Sequence, residues 1–438
     1  MDLTLSPTMP QYLYQSSISL ELAVVLLLLV LVPFPRYLVG LVVALTFLRL
    51  NERFPMSLPL VVFAYIFLSI SALIHFRKVR AYRLGKDDWA LLLFVALVLL
   101  ETLLFNRGDL PWILKDFLLS LAYYFAIVIF LRDEKGFRIL NSTLMASTVL
   151  ICLEPLYYHL TEPQGSIILQ LFTGHEGRLA AWGLWRNANE TSFLALLGIA
   201  TIFIQLSTTK ARWSRFVLYA PLLAMFLLVT VKTASRAGIG AVCILLFFTA
   251  LFNRYKTAKV VAIALLIACA IAAPMYLGMR TDTEGSSEAR ENLRYVGKHI
   301  FLDNPVFGCG YGQAPYGHGT GGQPLHNTFL QAFAETGFFG GFLVLSFVFL
   351  NGRDRVNDLR MNRQNKDVIM LNSTLLGLFA ASCAYFLYGN QLLSIMFLTI
   401  FALLKTASSY PNLVTRGVGE DKSVRAAPRK RVPSVALQ

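Results

Sequence analysis

The feature that most limits the fold is a series of apolar runs, each close to the ~20 residues a helix needs to cross a bilayer. They recur from Leu20 to about Lys405. Inside hydrocarbon no water satisfies the backbone, so each run must close its own hydrogen bonds, which selects helices. The short alternating segments of a membrane β-barrel are absent. Composition agrees: 56% of the 438 residues are hydrophobic and 15% charged, where a soluble chain carries roughly 25% charged residues. The expected fold is an all-α polytopic membrane bundle. Spans are read near 20–34, 37–50, 57–76, 89–105, 111–131, 138–159, 190–206, 214–231, 235–253, 260–278, 327–350, 369–388 and 391–405. Only Pro35 and Arg36 separate the first two, so the count is 12–13.

The formal charge of +14 would suggest nucleic acid in a soluble protein. Here it sorts by loop. One alternate set of loops holds twenty basic residues, among them Arg77, Lys78, Arg80, Arg132, Arg254 and Arg355, and the other set holds nine. The positive-inside bias makes the first set cytoplasmic. The two longest loops, about 160–189 and 279–326, then lie outside, and long loops are where function concentrates. Residues 1–405 read as one membrane domain. Residues 406–438, with Arg429, Lys430 and Arg431, read as a basic cytoplasmic tail of disordered composition. The first seventeen residues hold no Lys or Arg, so no cleavable signal peptide is expected, and the thirteen-span count puts the N-terminus outside. The five cysteines form no CxxC pair or disulfide framework; four lie in apolar runs and Cys309 in a polar loop.

The second long loop opens with SSEARENLRYVGKHIFLDNP. Ala289, Leu293, Val296 and Ile300 recur at helical spacing, and Arg290, Arg294 and Lys298 recur on another face. Ser286 or Ser287 is placed to cap the start. This predicts an amphipathic helix with a basic stripe, suited to lipid phosphates at a membrane surface or to a bound anion. A loop follows in which seven of the sixteen residues from Phe307 to Gly322 are glycine, with His318 within it. It reads as a flexible connector or as backbone that approaches a ligand closely. His326 then stands at the outer end of a span, where a neutral imidazole is able to accept a proton. Glu335, nine residues on, falls on another face of a continuous helix. It reads as packing glue or a relay, with Gly337, Gly340 and Gly341 permitting close helix approach. TASRAG sets Arg236 at the outer end of another span, as a snorkelling anchor or a functional cation. The first long loop contributes Arg178 and Arg186, with Asn187 and Asn189 in a hydrogen-bonding turn.

TASRAG, SSEARENLRYVGKHIFLDNPVFGCGYG and LHNTFLQAFAETGFFG, in that order, resemble the O-antigen ligase and polymerase superfamily. The similarity runs from about Asn187 to Gly341, and Tyr295 stands where many relatives carry tryptophan. The resemblance implies a glycan carried on undecaprenyl pyrophosphate at the outer face of a bacterial inner membrane. That glycan passes to an acceptor hydroxyl of another glycan or of the lipid A core. It implies Arg236 and Arg290 on the pyrophosphate, with Arg178, Arg294, Lys298 and Asn327 as further substrate-binding residues. Arginine forks hold phosphate bidentately and stay charged. His326 is the implied general base, help worth ~10²–10⁴-fold in rate. No acidic cluster with metal-ligand spacing sits in the outer loops, so metal-independent transfer without a cofactor is expected. Backside displacement would invert the anomeric centre. The compact second loop favours a polymerase of repeat units over a ligase. A flippase for lipid-linked glycans is the reading from another class, but no internal repeat supports it; a non-catalytic scaffold is a further one.

Overall fold

The computed structural model describes residues 11–48, 60–105, 107–163, 178–181, 187–208, 212–277, 283–316, 320–361, 365–389 and 392–408. Most of the first long loop and of the basic tail, with Arg186 and His318, lies outside the described residues. In chain order the helices are α1 (Gln11–Leu31), α2 (Pro35–Leu48), α3 (Leu60–Ile74), α4 (Phe76–Ala81), α5 (Lys86–Phe105), α6 (Leu110–Phe130), α7 (Glu134–Thr161), α8 (Ala188–Ser207), α9 (Arg212–Lys232), α10 (Arg236–Phe252), α11 (Lys256–Leu277), α12 (Thr283–Asp303), α13 (Thr328–Met361), α14 (Lys366–Phe386) and α15 (Ile395–Ala407). No strand occurs among the described residues. Six helices, α5, α6, α7, α8, α13 and α14, are long and apolar enough to cross a membrane. Shorter apolar stretches in α1, α2, α3, α9, α10, α11 and α15 match the remaining expected spans. This is a polytopic helical membrane protein.

Burial follows the pattern of apolar side chains. α8 is apolar on nearly every face and is buried on nearly every face, as expected for a helix at the centre of a bundle. It packs on α7, α9, α10 and α14, while α10 and α14 form the most extensive helix pair. Gly377 of α14 makes that pair possible, since a Cβ there would stand 2.9 Å from the Leu245 carbonyl. Small residues let helix backbones approach in this way. α1, α3 and α11 instead expose large apolar side chains such as Leu29, Leu73 and Ile271, the surface a helix presents to lipid.

Charged anchors hold the bundle at the end where α5 begins. Lys405 of α15 bridges Asp87 and Asp88 of α5, at 2.5 Å each, and Tyr82 donates to Asp88 at 2.6 Å. Arg36 pairs with Asp133. α13 runs to Met361, about three turns beyond the expected span end. It carries Arg355 as a buried ion pair with Asp358 (2.7 Å), so part of the expected basic loop is helix.

α13 also departs from the expected continuous helix. Thr336 and Gly337 leave helical geometry, and Gly337 adopts φ +61°. A kink frees backbone groups that need partners, and the glycine-rich loop supplies them. Cys309 N–H donates to the Ala334 carbonyl and Gly310 N–H to the Glu335 carbonyl, each at 2.9 Å; Phe338 N–H donates to the Pro305 carbonyl at 2.8 Å. Gly337 is required here, because a Cβ would stand 2.1 Å from the Val306 carbonyl oxygen. Gly340 and Gly341 face Thr336 and Phe333 of their own helix across the kink. Gly337 therefore accommodates a bend and a docked loop, while a Cβ at Gly340 would also stand 3.5 Å from Leu97 of the neighbouring α5.

Candidate functional site

TASRAG builds the first wall of the site. Ser235 caps α10, accepting from Gly238 N–H (3.1 Å) and donating to Asn189 Oδ1 (2.7 Å). Gly238 lets α10 sit directly on Ser192 of α8, where a Cβ would stand 2.0 Å from the hydroxyl. Arg236, the first residue of α10, is thereby fixed at the helix mouth. Arg178 braces this corner, donating through Nε to the Thr233 carbonyl (2.8 Å) and through Nη2 to Asn189 Oδ1 (3.3 Å).

The expected amphipathic helix forms the second wall. α12 starts at Thr283, so Ser286 and Ser287 lie within it and are not its caps. Leu293 and Ile300 are buried and Val296 half-buried, packed towards α13; Ala289 is exposed and does not belong to that stripe. The basic face turns Arg290 and Arg294 into a cavity of about 340 Å³ that Arg236, Ala237 and Tyr388 complete. Arg294 lies 5.3 Å from the Tyr388 ring centroid, a cation–π contact that holds the guanidinium in place. Tyr295 is 65% exposed and rests on His299, outside the cavity lining.

His326 precedes α13 instead of lying on it, so the helical phase between it and Glu335 does not apply. Its backbone takes φ +50°, and among the described non-glycine residues only Ala234 and Leu393 share a positive φ. Such strain persists where surrounding structure enforces it and clusters at functional sites; Ala234 sits two residues before Arg236. Burial first, then the neighbouring Arg290 guanidinium, hold the His326 imidazole below its ordinary pKa. Both favour the neutral ring, the form able to accept a proton. Asn327 next to it caps α13, accepting from Phe329 N–H (3.1 Å) and Leu330 N–H (3.0 Å).

The structure thus brings together Arg236, Arg290, Arg294 and His326. Arg178 supports them from behind Ser235, Asn327 orients the chain at His326, and Lys298 is exposed on α12 outside the cavity lining. Tyr388 belongs to the site and carried no motif signal. Glu335 turns to the glycine-rich loop: its Oε1 accepts from Gln331 Nε2 at 2.9 Å, and the N–H groups of Gly312 and Ala314 face it. Cys309 is not poised as a nucleophile, since burial and then Glu335 push its thiol up to about 12. Among the described residues no three His, Cys, Asp or Glu side chains converge to hold a metal ion.

The fold and the site define a class: a polytopic helical membrane protein with an arginine-lined cavity beside a histidine. Residues 221–345, which include Arg236, Arg290, Arg294 and His326, match the family model described as O-antigen ligase; this supports membership of the O-antigen ligase and polymerase superfamily. No curated protein matches the chain.

Proposed function

We propose that this protein is a membrane glycosyltransferase that moves an undecaprenyl-pyrophosphate-linked glycan to an acceptor hydroxyl at the outer face of a bacterial inner membrane. One observation carries the reading: Arg236, Arg290 and Arg294 line a single cavity, and the neutral His326 stands beside Arg290. The acceptor oxygen attacks the anomeric carbon while its proton passes to His326. The bond from that carbon to the pyrophosphate oxygen breaks, and the leaving group's growing charge falls to the guanidiniums. Stabilisation that grows towards the transition state is what accelerates a step. The guanidiniums supply that charge without a metal ion, and attack from the face opposite the pyrophosphate inverts the anomeric centre. A polymerase extending lipid-linked repeat units is favoured over a ligase to lipid A core by the compact second outer loop, about 279–326. The His326→Ala protein should lose at least about 10²-fold in transfer while still binding the lipid-linked donor. Purified protein with labelled donor tests this, and wild-type turnover would remove the base assignment.

A further inference from the structure

A second cavity, of about 500 Å³, opens between the last turn of α5, the start of α6 and the glycine-rich loop. This lies within the ~300–1,000 Å³ of ordinary small-molecule sites. Unlike the arginine cavity, it has no arginine or lysine among its described lining residues. Glu101 lines it, is only 4% exposed, and neither carboxylate oxygen has a hydrogen-bond partner among the described residues. Leaving such a group buried and unmatched is costly, so a ligand with donors is the arrangement's natural complement. Asn304, Gln313, Phe307 and Tyr316 also line the cavity. Gln313 gives its amide N–H to Asp109 at 2.9 Å, which leaves its carbonyl oxygen to accept. Tyr316 is 66% exposed and presents a ring face and a hydroxyl.

No cation stands among the described lining residues to hold an anion, and an alkyl chain would strand the Glu101 oxygens. A neutral polyol satisfies both constraints. Its hydroxyls hydrogen-bond the Glu101 carboxyl group and donate to the Gln313 carbonyl, and its C–H face lies on an aromatic ring. We infer that this cavity is a saccharide subsite that holds the acceptor glycan. The inference rests on the transferase reading above. α12 relates the two cavities: Arg294 lines the cationic one and Asn304, ten residues on, lines this one. At 1.5 Å per residue that is a separation of about 15 Å. The subsite therefore engages acceptor sugars set back from the attacking hydroxyl, and the pyrophosphate and the acceptor chain are sorted into a cationic cavity and a cation-free one.

The test uses full-length protein in detergent and the free oligosaccharide released by mild acid from the producing cell's lipid-linked glycan. Saturation-transfer NMR should detect its binding to wild type and to Arg290→Lys, and show a loss of about tenfold or more in affinity for Glu101→Gln. Tyr316→Ala, at an exposed ring, should weaken binding while keeping the wild-type Tm. With donor and acceptor varied separately, Glu101→Gln should raise KM for the acceptor about tenfold and leave that for the donor unchanged. Wild-type binding by both variants would overturn the subsite, and a rise confined to the donor KM would overturn its assignment to the acceptor. Failure of the transferase reading is separately visible: His326→Ala and Arg290→Lys would then transfer normally, whatever the oligosaccharide binding.

Discussion

At His326 two influences act in one direction. Burial disfavours the imidazolium, and the Arg290 charge disfavours it further. A base works in its deprotonated form, so transfer should rise with pH and level off by neutrality, with its midpoint below the ordinary ~6.5 of histidine. Arg290→Gln removes a positive neighbour and should move the imidazole midpoint upward. The pH dependence of His326 carbethoxylation, read by peptide mass spectrometry, reports that midpoint without needing turnover. An unchanged midpoint would break the electrostatic link between the two residues. Arg290→Lys keeps the charge but loses the fork, so it should leave the midpoint near wild type while transfer falls by about tenfold or more. Wild-type transfer by that variant would discard bidentate recognition. The positions of these residues were legible in sequence because each is tied to a local signal: the mouth of an apolar span for Arg236 and for His326, and a helical period for Arg290 and Arg294. Tyr388 and Glu101 had no such signal, since what makes them part of a site is contact with segments distant in the chain.

At the scale of elements, the glycine-rich loop and the kink in α13 form one unit, each supplying the other's hydrogen bonds. Gly308 and Gly337 are the two backbone positions that let them meet: both have positive φ, and a Cβ on either would overlap the other segment's backbone. Gly337→Ala should therefore cost about 1–2 kcal/mol from the left-handed backbone alone, and more from displacing the loop at Val306. The expected result is a lower Tm in detergent together with reduced transfer, because the same loop leads into His326. A Gly337→Ala protein with the wild-type Tm would show that the interlock does not stabilise the fold. Periodicity misread this segment because the phase counted from His326 to Glu335 assumes one helix, and His326 lies before α13 with φ +50°. The backbone freed at Thr336 and Gly337 docks the glycine-rich loop, which is what Glu335 meets. The period of α12 held from Leu293 to Ile300, where the helix packs towards α13, and not at Ala289, which is exposed.

At the scale of the whole molecule, α5 spans between two chemically different ends. Asp87 and Asp88 at its start are tied by Lys405, 318 residues away in the chain from Asp87, while Glu101 near its other end lines the second cavity. A 20-residue helix is about 30 Å long, so the Lys405 cluster and the second cavity lie towards opposite ends of α5. The cluster serves to close the bundle by joining α15 to α5. Lys405 is 18% exposed and Asp88 fully buried, so removing the lysine strands carboxylates that water does not reach. Breaking one side of such a buried pair costs ~3–5 kcal/mol. Lys405→Met, which keeps most of the stem's apolar contact, should therefore lower the Tm in detergent markedly. Transfer per folded molecule should stay near wild type at temperatures below that transition. Adding Asp87→Asn should recover part of the loss, because one stranded charge is then gone. If Lys405→Met left the Tm intact, the cluster would be ornamental to the fold. If it abolished transfer in protein that remained folded, the two ends would be coupled rather than independent.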